Sequence, residues 1–411
     1  SIRSGVNKGT GIPFKNVLVS ATHTHSGPTL MSVNDNYAHS GLPSGEINDY
    51  GRFFIKRSVE SAVNAWKSRV PGKIGVGSAN VYGLAMNDRR MEYGGLPPDP
   101  EAGIIKIEDA NDKLMGIFFN YGCHPSTLDL HNLKFTEDWP YFSIKGIKEK
   151  VGKDVIVGYF QSAQGDAKVG YNAELSAVGA YMQGLRSFDF AEQKGLIMTD
   201  AVLKVLPSIQ TSGDLQLKVA YDKFKVPRRT TFPYTQKEAL LWKQRAQKTL
   251  AEKEKLVLSY PVDSQGVEKY QAAARDLVAK GEIGSIIGPR ALDKYKVDYW
   301  LATQAVSQAK VIEEQPKNAG PYMMPMQAVR IGNSVFVTFP TEVFTEIGLT
   351  VKKRSPYENT FVFGLAGGHG GYIATAAEYI EGGYAVNGSP YAPQAEQAII
   401  DASMDLINRV K

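Results

Sequence analysis

The sequence lacks the features that mark several large classes of protein. Its 411 residues contain one cysteine, Cys123, so no disulfide can form within the chain. No apolar run reaches the roughly 18 residues that a membrane-spanning helix needs. The net charge of +5 is spread along the chain without a basic block, which argues against a nucleic-acid partner. We therefore expect a globular chain with no membrane span, no nucleic-acid partner and no internal disulfide.

The two ends of the chain and its composition indicate how many domains to expect and whether a targeting signal is present. No signal peptide is visible, and the chain opens at Ser1 on what looks like the middle of a helix, so we expect further residues upstream, with any targeting signal among them. The hydrophobic share of 43% and the charged share of 22% are ordinary for globular proteins. The length suits one large α/β domain or two closely packed ones.

The most informative stretch places two histidines after a predicted strand. The apolar run 16–20 predicts a short buried strand, and His23 and His25 follow it before Gly27-Pro28 turns the chain. Alternate residues of an extended segment point to the same side, so both imidazoles are expected to face one cavity. Two histidines leave two interpretations open: a metal site, or a hydrogen-bonded structural pair.

Polar residues also follow other predicted strands. His124 comes directly after the strand predicted at 114–121. Its neighbour Cys123 is expected to face the other way and to pack in the core, because adjacent residues of a strand alternate in direction. Asp166 and Lys168 follow the next buried strand of the sequence.

Two more strand ends complete the pattern. Glu342 follows a strand and opens the helix predicted at 343–353, where helix capping by Thr341 or Glu342 is the competing interpretation. Tyr372 follows the strand predicted at 360–365 and a run of glycines. Two imidazoles, a carboxylate and a phenol suit a catalytic zinc site with one position open to water.

The periodicity predicts the fold class. Strands and helices alternate up to residue 205 and again after residue 323, which indicates an α/β protein with mixed sheets flanked by helices. We expect a single large domain over residues 1–411. Residues 227–320, rich in Lys, Glu, Gln and Ala, are expected to form a helical insertion or subdomain, either a lid or a packed outer layer.

One resemblance adds to these expectations. The stretch Ala21-Thr22-His23-Thr24-His25-Ser26-Gly27-Pro28 resembles the signature of the neutral/alkaline (non-lysosomal) ceramidase family, which are zinc-dependent amidases. The resemblance continues, in the same order and at similar distances, at Asn120-Tyr121-Gly122-Cys123-His124-Pro125, Gln161-Ser162-Ala163-Gln164-Gly165-Asp166, Phe339-Pro340-Thr341-Glu342, Gly371-Tyr372-Ile373-Ala374-Thr375 and Glu378-Tyr379.

The resemblance implies a catalytic α/β domain that binds Zn²⁺ and assigns roles to particular residues. Its implied zinc ligands are His23, His124, Glu342 and Tyr372. The resemblance places His25 beside these ligands, where it would help to move protons, and matches Arg89 or Arg90 to a family arginine near the substrate. We predict that His25, Lys168 and Tyr372 are catalytic and that Arg89, Arg90 and Asp166 bind the substrate. Without the resemblance, the two arginines beside a turn are either an anion clamp or ordinary surface charges.

The sequence also departs from the family. Lys168 stands where the ceramidases carry a serine that they require, and no C-terminal β-sandwich is expected in this chain. We therefore predict a bacterial, periplasmic or secreted zinc-dependent hydrolase that cleaves an amide (N-acyl) bond with zinc-activated water. The alternatives are a carbohydrate-type or ester substrate on the same metal scaffold, and a ligand-binding relative without catalysis. The expected partner is a small-molecule or lipid-like substrate, and the resemblance implies a role in sphingolipid metabolism.

Overall fold

The computed structural model describes residues 1–28, 30, 47–89, 98–128, 132–170, 173–178, 186–258, 276, 279–280, 292–368 and 370–411. The helices are α1 Ile2–Thr10, α2 Asp49–Lys67, α3 Trp139–Val151, α4 Ala173–Ala177, α5 Phe188–Val205, α6 Gln236–Leu258, α7 Asp293–Glu314, α8 Thr345–Arg354, α9 Glu378–Glu381, α10 Tyr384–Asn387 and α11 Ala395–Arg409, with 3-10 turns at Phe14–Asn16 and Leu206–Ser208. The strands are β1 Gly72–Asn80, β2 Met86–Asn87, β3 Glu101–Asp109, β4 Leu114–Tyr121, β5 Ile156–Gln161, β6 Ala167–Lys168, β7 Leu217–Val226, β8 Tyr322–Ile331, β9 Ser334–Thr338, β10 Glu342–Val343, β11 Asn359–Phe363 and β12 Tyr372–Ile373.

The first sheet has the strand order β1-β3-β4-β5. β1, β3 and β4 pair antiparallel, whereas β4 and β5 pair parallel. The parallel pair requires a crossover, which α3 supplies. α3 begins at Trp139 because the Asp138 carboxylate accepts the first free backbone N–H at 2.8 Å, and Pro140 fits the first turn. Strands and helix lie where the periodicity predicted them.

The second sheet repeats this plan with the order β11-β9-β8-β7. β7, β8 and β9 pair antiparallel, and β9 and β11 pair parallel across the crossover helix α8. Side chains alternate along these strands as the period of two requires. Val335 and Val337 pack with the helices α8 and α11, while Phe336 points to the opposite face.

The two sheets pack face to face, with helices on both outer surfaces. Phe336, Phe361 and Phe363 of the second sheet meet Phe160 and Ile105 of the first. The rings of Phe160 and Phe363 stack with centroids 4.8 Å apart. α3 and α5 cover the outer face of the first sheet, and α8 and α11 cover that of the second. The architecture is therefore a four-layer αββα sandwich, which confirms the expected mixed α/β class.

The segment before the histidines differs from its prediction. No ladder forms at 16–20; only Ser20 makes an isolated bridge, to Ala366, and the Gly367 N–H donates to the Val19 carbonyl. The segment runs past the end of the edge strand β11 instead of pairing along it. The prediction of a regular buried strand at this point was wrong, because an apolar run also suits a half-buried segment that only touches a sheet.

Two helices lie between β7 and β8, within the residues expected to form an insertion. α6 and α7 pack on each other through small side chains, with Ala239, Ala305 and Ala309 fully buried. Most of the helix predicted at 267–280 lies outside the described residues. In the described parts of the chain, no helix is long and apolar enough to cross a membrane.

The close approach of the two sheets predicts the outcome of one substitution. A Cβ at Gly165 would lie 2.8 Å from the Glu342 carbonyl oxygen and 2.8 Å from a ring carbon of Phe344. We expect Gly165→Ala to lower the free energy of unfolding by about 1 to 3 kcal/mol, because the loop must move away from β10. Urea denaturation of the purified protein measures this change.

Gly320→Ala is the matched control, since a Cβ there meets no atom within 4 Å. It should leave stability unchanged or raise it by up to about 1 kcal/mol through the unfolded state. Equal midpoints for both variants would contradict the tight packing at Gly165.

Candidate metal centre

Three histidines from two distant segments come together at one edge of the sandwich. Ring nitrogens of His23, His25 and His124 all lie within 4.8 Å of one another. The ring centroids of His23 and His25 are 4.8 Å apart, and those of His23 and His124 are also 4.8 Å apart. Both histidines of the first motif therefore face one cavity, as expected, together with the histidine that follows β4.

Glu342 joins this cluster from the second sheet. Its Oε2 atom lies 3.1 Å from Nε2 of His23 and 3.1 Å from Nε2 of His124. Tyr372 lies opposite Glu342 in the parallel pairing of β10 with β12, and its hydroxyl is 3.5 Å from the same nitrogen of His124. Two imidazoles thus lie against one carboxylate oxygen, with a phenol beside them.

The hydrogen bonding of His124 makes the cluster suitable for a cation. Its Nδ1 lies 3.1 Å from the Ala167 carbonyl, which can only accept, so Nδ1 carries the proton. Burial first, and then the charge of Lys168, lower the pKa of His124 to about 4, although Glu342 acts in the opposite direction. Near neutral pH the Nε2 lone pair therefore faces a carboxylate oxygen with no proton between them. A bound cation would turn this repulsion into attraction, so the residues present fit a metal such as zinc.

His23 reaches the cluster through an unusual backbone conformation. Its φ of 68° lies in the left-handed region, which costs a non-glycine residue about 1 to 2 kcal/mol. The neighbouring segment is held by two hydrogen bonds: the Thr24 hydroxyl donates to the Thr136 carbonyl at 2.7 Å, and the His25 N–H donates to the Pro125 carbonyl at 3.0 Å. The histidines therefore converge through a turn, and not through the extended alternation that the sequence suggested.

His25 occupies the outer side of the cluster. Its Nε2 lies 3.3 Å from Nε2 of His23, while part of the residue reaches solvent. The pKa of His25 is held well below its usual value, chiefly because the ring has lost solvation. The charges of His23, His124 and Lys168 lower it further. The ring is therefore neutral near pH 7 and can accept a proton.

Lys168, in β6, lies next to Asp88, an acidic residue that the sequence analysis did not select. It pairs with Met86 in the short β2–β6 ladder, and its side chain is 5% exposed. The ammonium is 3.9 Å from Oδ2 of Asp88, which is also buried. Burial raises the pKa of Asp88 to about 7, although Lys168 acts against this shift. Asp88 belongs to a polar cluster in the sequence, but only the β2–β6 pairing reveals its position.

Asp166 and Arg89, two of the residues expected to bind substrate, form hydrogen bonds with other parts of the protein. The Asp166 carboxylate accepts from the Thr345 N–H at 2.8 Å, from the Thr345 hydroxyl at 2.7 Å and from the Asn87 amide at 2.9 Å. Arg89 donates through Nε to Glu378 at 2.5 Å. Arg90 lies outside the described residues.

The start of α8 settles the question of capping. The helix begins at Thr345, after the two-residue strand β10, and Asp166 accepts its first free N–H. The Thr341 hydroxyl has no hydrogen-bond partner among the described residues, so Thr341 does not cap the helix. Glu342 faces the histidines instead of the helix. The capping carboxylate comes from the other sheet, which sequence spacing alone does not reveal.

An apolar groove opens beside the histidine motif. It has a volume of about 820 Å³ and is lined partly by Thr24, Ser26, Gly27 and Pro28, directly after His23 and around His25. The rest of the lining is mainly aromatic, from Tyr50, Phe54, Phe135, Tyr141, Phe142 and Phe188. Their arrangement along one groove is visible only in the structure.

Comparison with known proteins identifies the fold. No family model matches the chain. Among solved structures, a neutral ceramidase from Pseudomonas aeruginosa matches with a TM-score of 0.64 and 17% identity, over 99% of this chain and 64% of that one. A ceramidase complexed with C2 matches with a TM-score of 0.59 and 15% identity, over 98% of this chain and 65% of that one. The chain thus has a ceramidase-like fold, as expected, and spans just under two thirds of the length of these structures.

The buried Asp88 predicts a measurable dependence on pH. As pH rises from about 4 to 7, the unfolded chain loses the Asp88 proton while the native state keeps it, so native stability falls. We expect Asp88→Asn to remove this loss, so that its stability relative to the parent protein rises by roughly 3 to 4 kcal/mol across this range. Urea denaturation at several pH values, with a chelator present, measures the difference.

Asp222→Asn provides a control of opposite sign. The Lys223 N–H first, and then Arg409, lower the pKa of Asp222, so this carboxylate stabilises the native state above its usual pKa. The variant should therefore lose more stability at neutral pH than in acid. A pH-independent difference for Asp88→Asn would show that Asp88 ionises normally in the native protein.

Proposed function

We propose that this protein is a metal-dependent hydrolase, with zinc as the metal, that cleaves the amide bond of an N-acylated, lipid-like substrate. The observation that carries the proposal is the convergence of acceptor atoms from His23, His124 and Glu342, next in the chain to the residues Thr24 and Ser26 that line an apolar groove. The ceramidase-like fold supports the reaction class. A periplasmic or secreted location is part of the same proposal.

The chain's own residues divide the work of the reaction. His23, His124 and Glu342 would hold the metal, with Tyr372 at its edge. A bound zinc ion supplies a Lewis acid that polarises a carbonyl and lowers the pKa of water. The ring of His25 is neutral near pH 7, so it would accept a proton from the attacking water, and its chain neighbours Thr24 and Ser26 line the groove.

Tyr372 suits the stabilisation of the carbonyl oxygen. Loss of solvation first, and then the charge of Glu342, raise the pKa of its phenol well above the usual value. The hydroxyl therefore keeps its proton and can donate it as a hydrogen bond to the oxygen on which negative charge develops. His25 then returns its proton to the departing amine, which leaves a free amine and a carboxylic acid as products.

The groove favours an acyl chain over a carbohydrate. Its walls are mainly aromatic carbon, and the volume of about 820 Å³ falls in the range of small-molecule sites. Burial of each methylene on such a surface contributes about 0.8 kcal/mol. An acyl chain in the groove would place its carbonyl at the histidine end.

Elemental analysis tests the metal. We expect about one zinc ion per purified chain, lost in His23→Ala and in Glu342→Ala because each removes a convergent ligand. Glu346→Ala is the matched control, since Glu346 is an exposed glutamate in the first turn of α8 and should leave the metal content unchanged. Full occupancy in Glu342→Ala, or no zinc uptake by the parent protein, would refute the assignment.

Hydrolysis of N-acyl amides of increasing chain length tests the groove. We expect kcat/KM to rise with acyl length and Phe54→Ser to lower it about tenfold for long chains, with little effect on N-acetyl substrates. Leu217→Ser is the control, because Leu217 is 69% exposed on β7 and does not line the groove. An equal loss of kcat/KM for short and long acyl chains in Phe54→Ser would show that the groove does not bind the acyl chain.

A further inference from the structure

The buried ammonium of Lys168 has too few partners for its position. The side chain is 5% exposed, and its one ion pair among the described residues, to Asp88, is long at 3.9 Å. Within the described part of the chain, no oxygen accepts a hydrogen bond from its Nζ. The ammonium carries three donors, and a buried charge without hydrogen bonds costs several kcal/mol, on the order of the penalty for an uncompensated ion.

The position of Lys168 relates this charge to the candidate metal centre. The preceding carbonyl, that of Ala167, accepts from both the backbone N–H and the Nδ1 of His124. Lys168 therefore directly follows the carbonyl that holds the His124 ring in the candidate metal centre.

Asp88 does not satisfy the ammonium by itself. A close ion pair has a separation of about 2.7 to 2.9 Å, whereas this contact is 3.9 Å long. Near neutral pH the raised pKa of Asp88 also leaves part of the carboxyl population uncharged. A positive charge that is held in place and only partly balanced attracts an anion.

We propose that Lys168 binds an anionic oxygen group of the substrate, a carboxylate or a phosphate on the amine side of the N-acyl bond. This inference rests on the proposed hydrolase function and specifies its substrate class. The acyl chain would occupy the groove beside Thr24 and Ser26, and the anionic group would reach Lys168 in β6, which does not line that groove. An ammonium recognises carboxylate and phosphate as a point charge, which leaves the choice between them to other contacts.

Matched pairs of amides that differ only in charge test the proposal. The pairs are N-dodecanoylglycine with N-dodecanoylglycinamide, and phosphorylated N-dodecanoylethanolamine with N-dodecanoylethanolamine. On the zinc-loaded full chain, we expect kcat/KM at least about tenfold higher for the charged member of one pair, the gain of one hydrogen-bonded charge contact. The pair that shows this preference identifies carboxylate or phosphate as the group bound.

Two variants relate the preference to the ammonium. Lys168→Met keeps the length of the side chain without its charge and should bring the ratio of charged to neutral substrate near one. Lys168→Arg keeps a positive charge and should retain a preference for the anion. If Lys168→Met fails to fold, as its circular dichroism spectrum would show, the ratio in Lys168→Gln serves instead.

The outcomes separate this inference from the proposed function. Hydrolysis of both members at equal rates, or a preference that survives in Lys168→Met, would overturn the anion site and leave the hydrolase intact. If no amide is hydrolysed, equilibrium binding of the same pairs tests whether Lys168 binds the anionic group. Tighter binding of the charged member, lost in Lys168→Met, would support the anion site although the proposed reaction had failed, and equal binding would overturn both.

Discussion

The convergence of hydrogen-bond acceptors on Glu342 is the physical constraint on which the site depends. Two imidazole nitrogens lie 3.1 Å from the same carboxylate oxygen, and a third lies 3.3 Å from one of them. Because the Ala167 carbonyl accepts a hydrogen bond from Nδ1 of His124, the neutral His124 ring leaves its Nε2 lone pair facing the Glu342 carboxylate. Only a cation or protonation relieves this arrangement, and burial opposes protonation of His124.

The fold brings these atoms together through the repeated plan of its two sheets. Each sheet ends in one parallel strand pair joined by a crossover helix, and His124, Glu342 and Tyr372 follow the strands β4, β9 and β11 of these pairs. Contacts between loops connect the two ends: the Gly165 N–H donates to the Val343 carbonyl at 2.8 Å, and the Gly364 N–H to the Gln161 carbonyl at 3.0 Å. The sandwich therefore positions ligands from separate sheets as precisely as a single sheet would.

The same packing explains why the sequence indicated some of the site residues and not others. His23, His25, His124, Glu342 and Tyr372 stand out because each is a polar residue after an apolar run. The roles of Asp88, beside Lys168, and of Asp166, at the start of α8, depend on contacts between distant segments. Charged residues in a turn look alike in sequence whether they lie on the surface or are buried against a partner.

The sequence by itself determined the alternation of strands and helices, the buried positions along them and the chemical types of the candidate ligands, because these follow from local periodicity and side-chain chemistry. Tertiary structure decided the left-handed turn at His23, the aromatic groove beside it and the incomplete partnering of Lys168. Each of these depends on which surfaces meet when the two sheets pack. That packing results from hydrophobic burial over the whole chain, so no local stretch of sequence determines it.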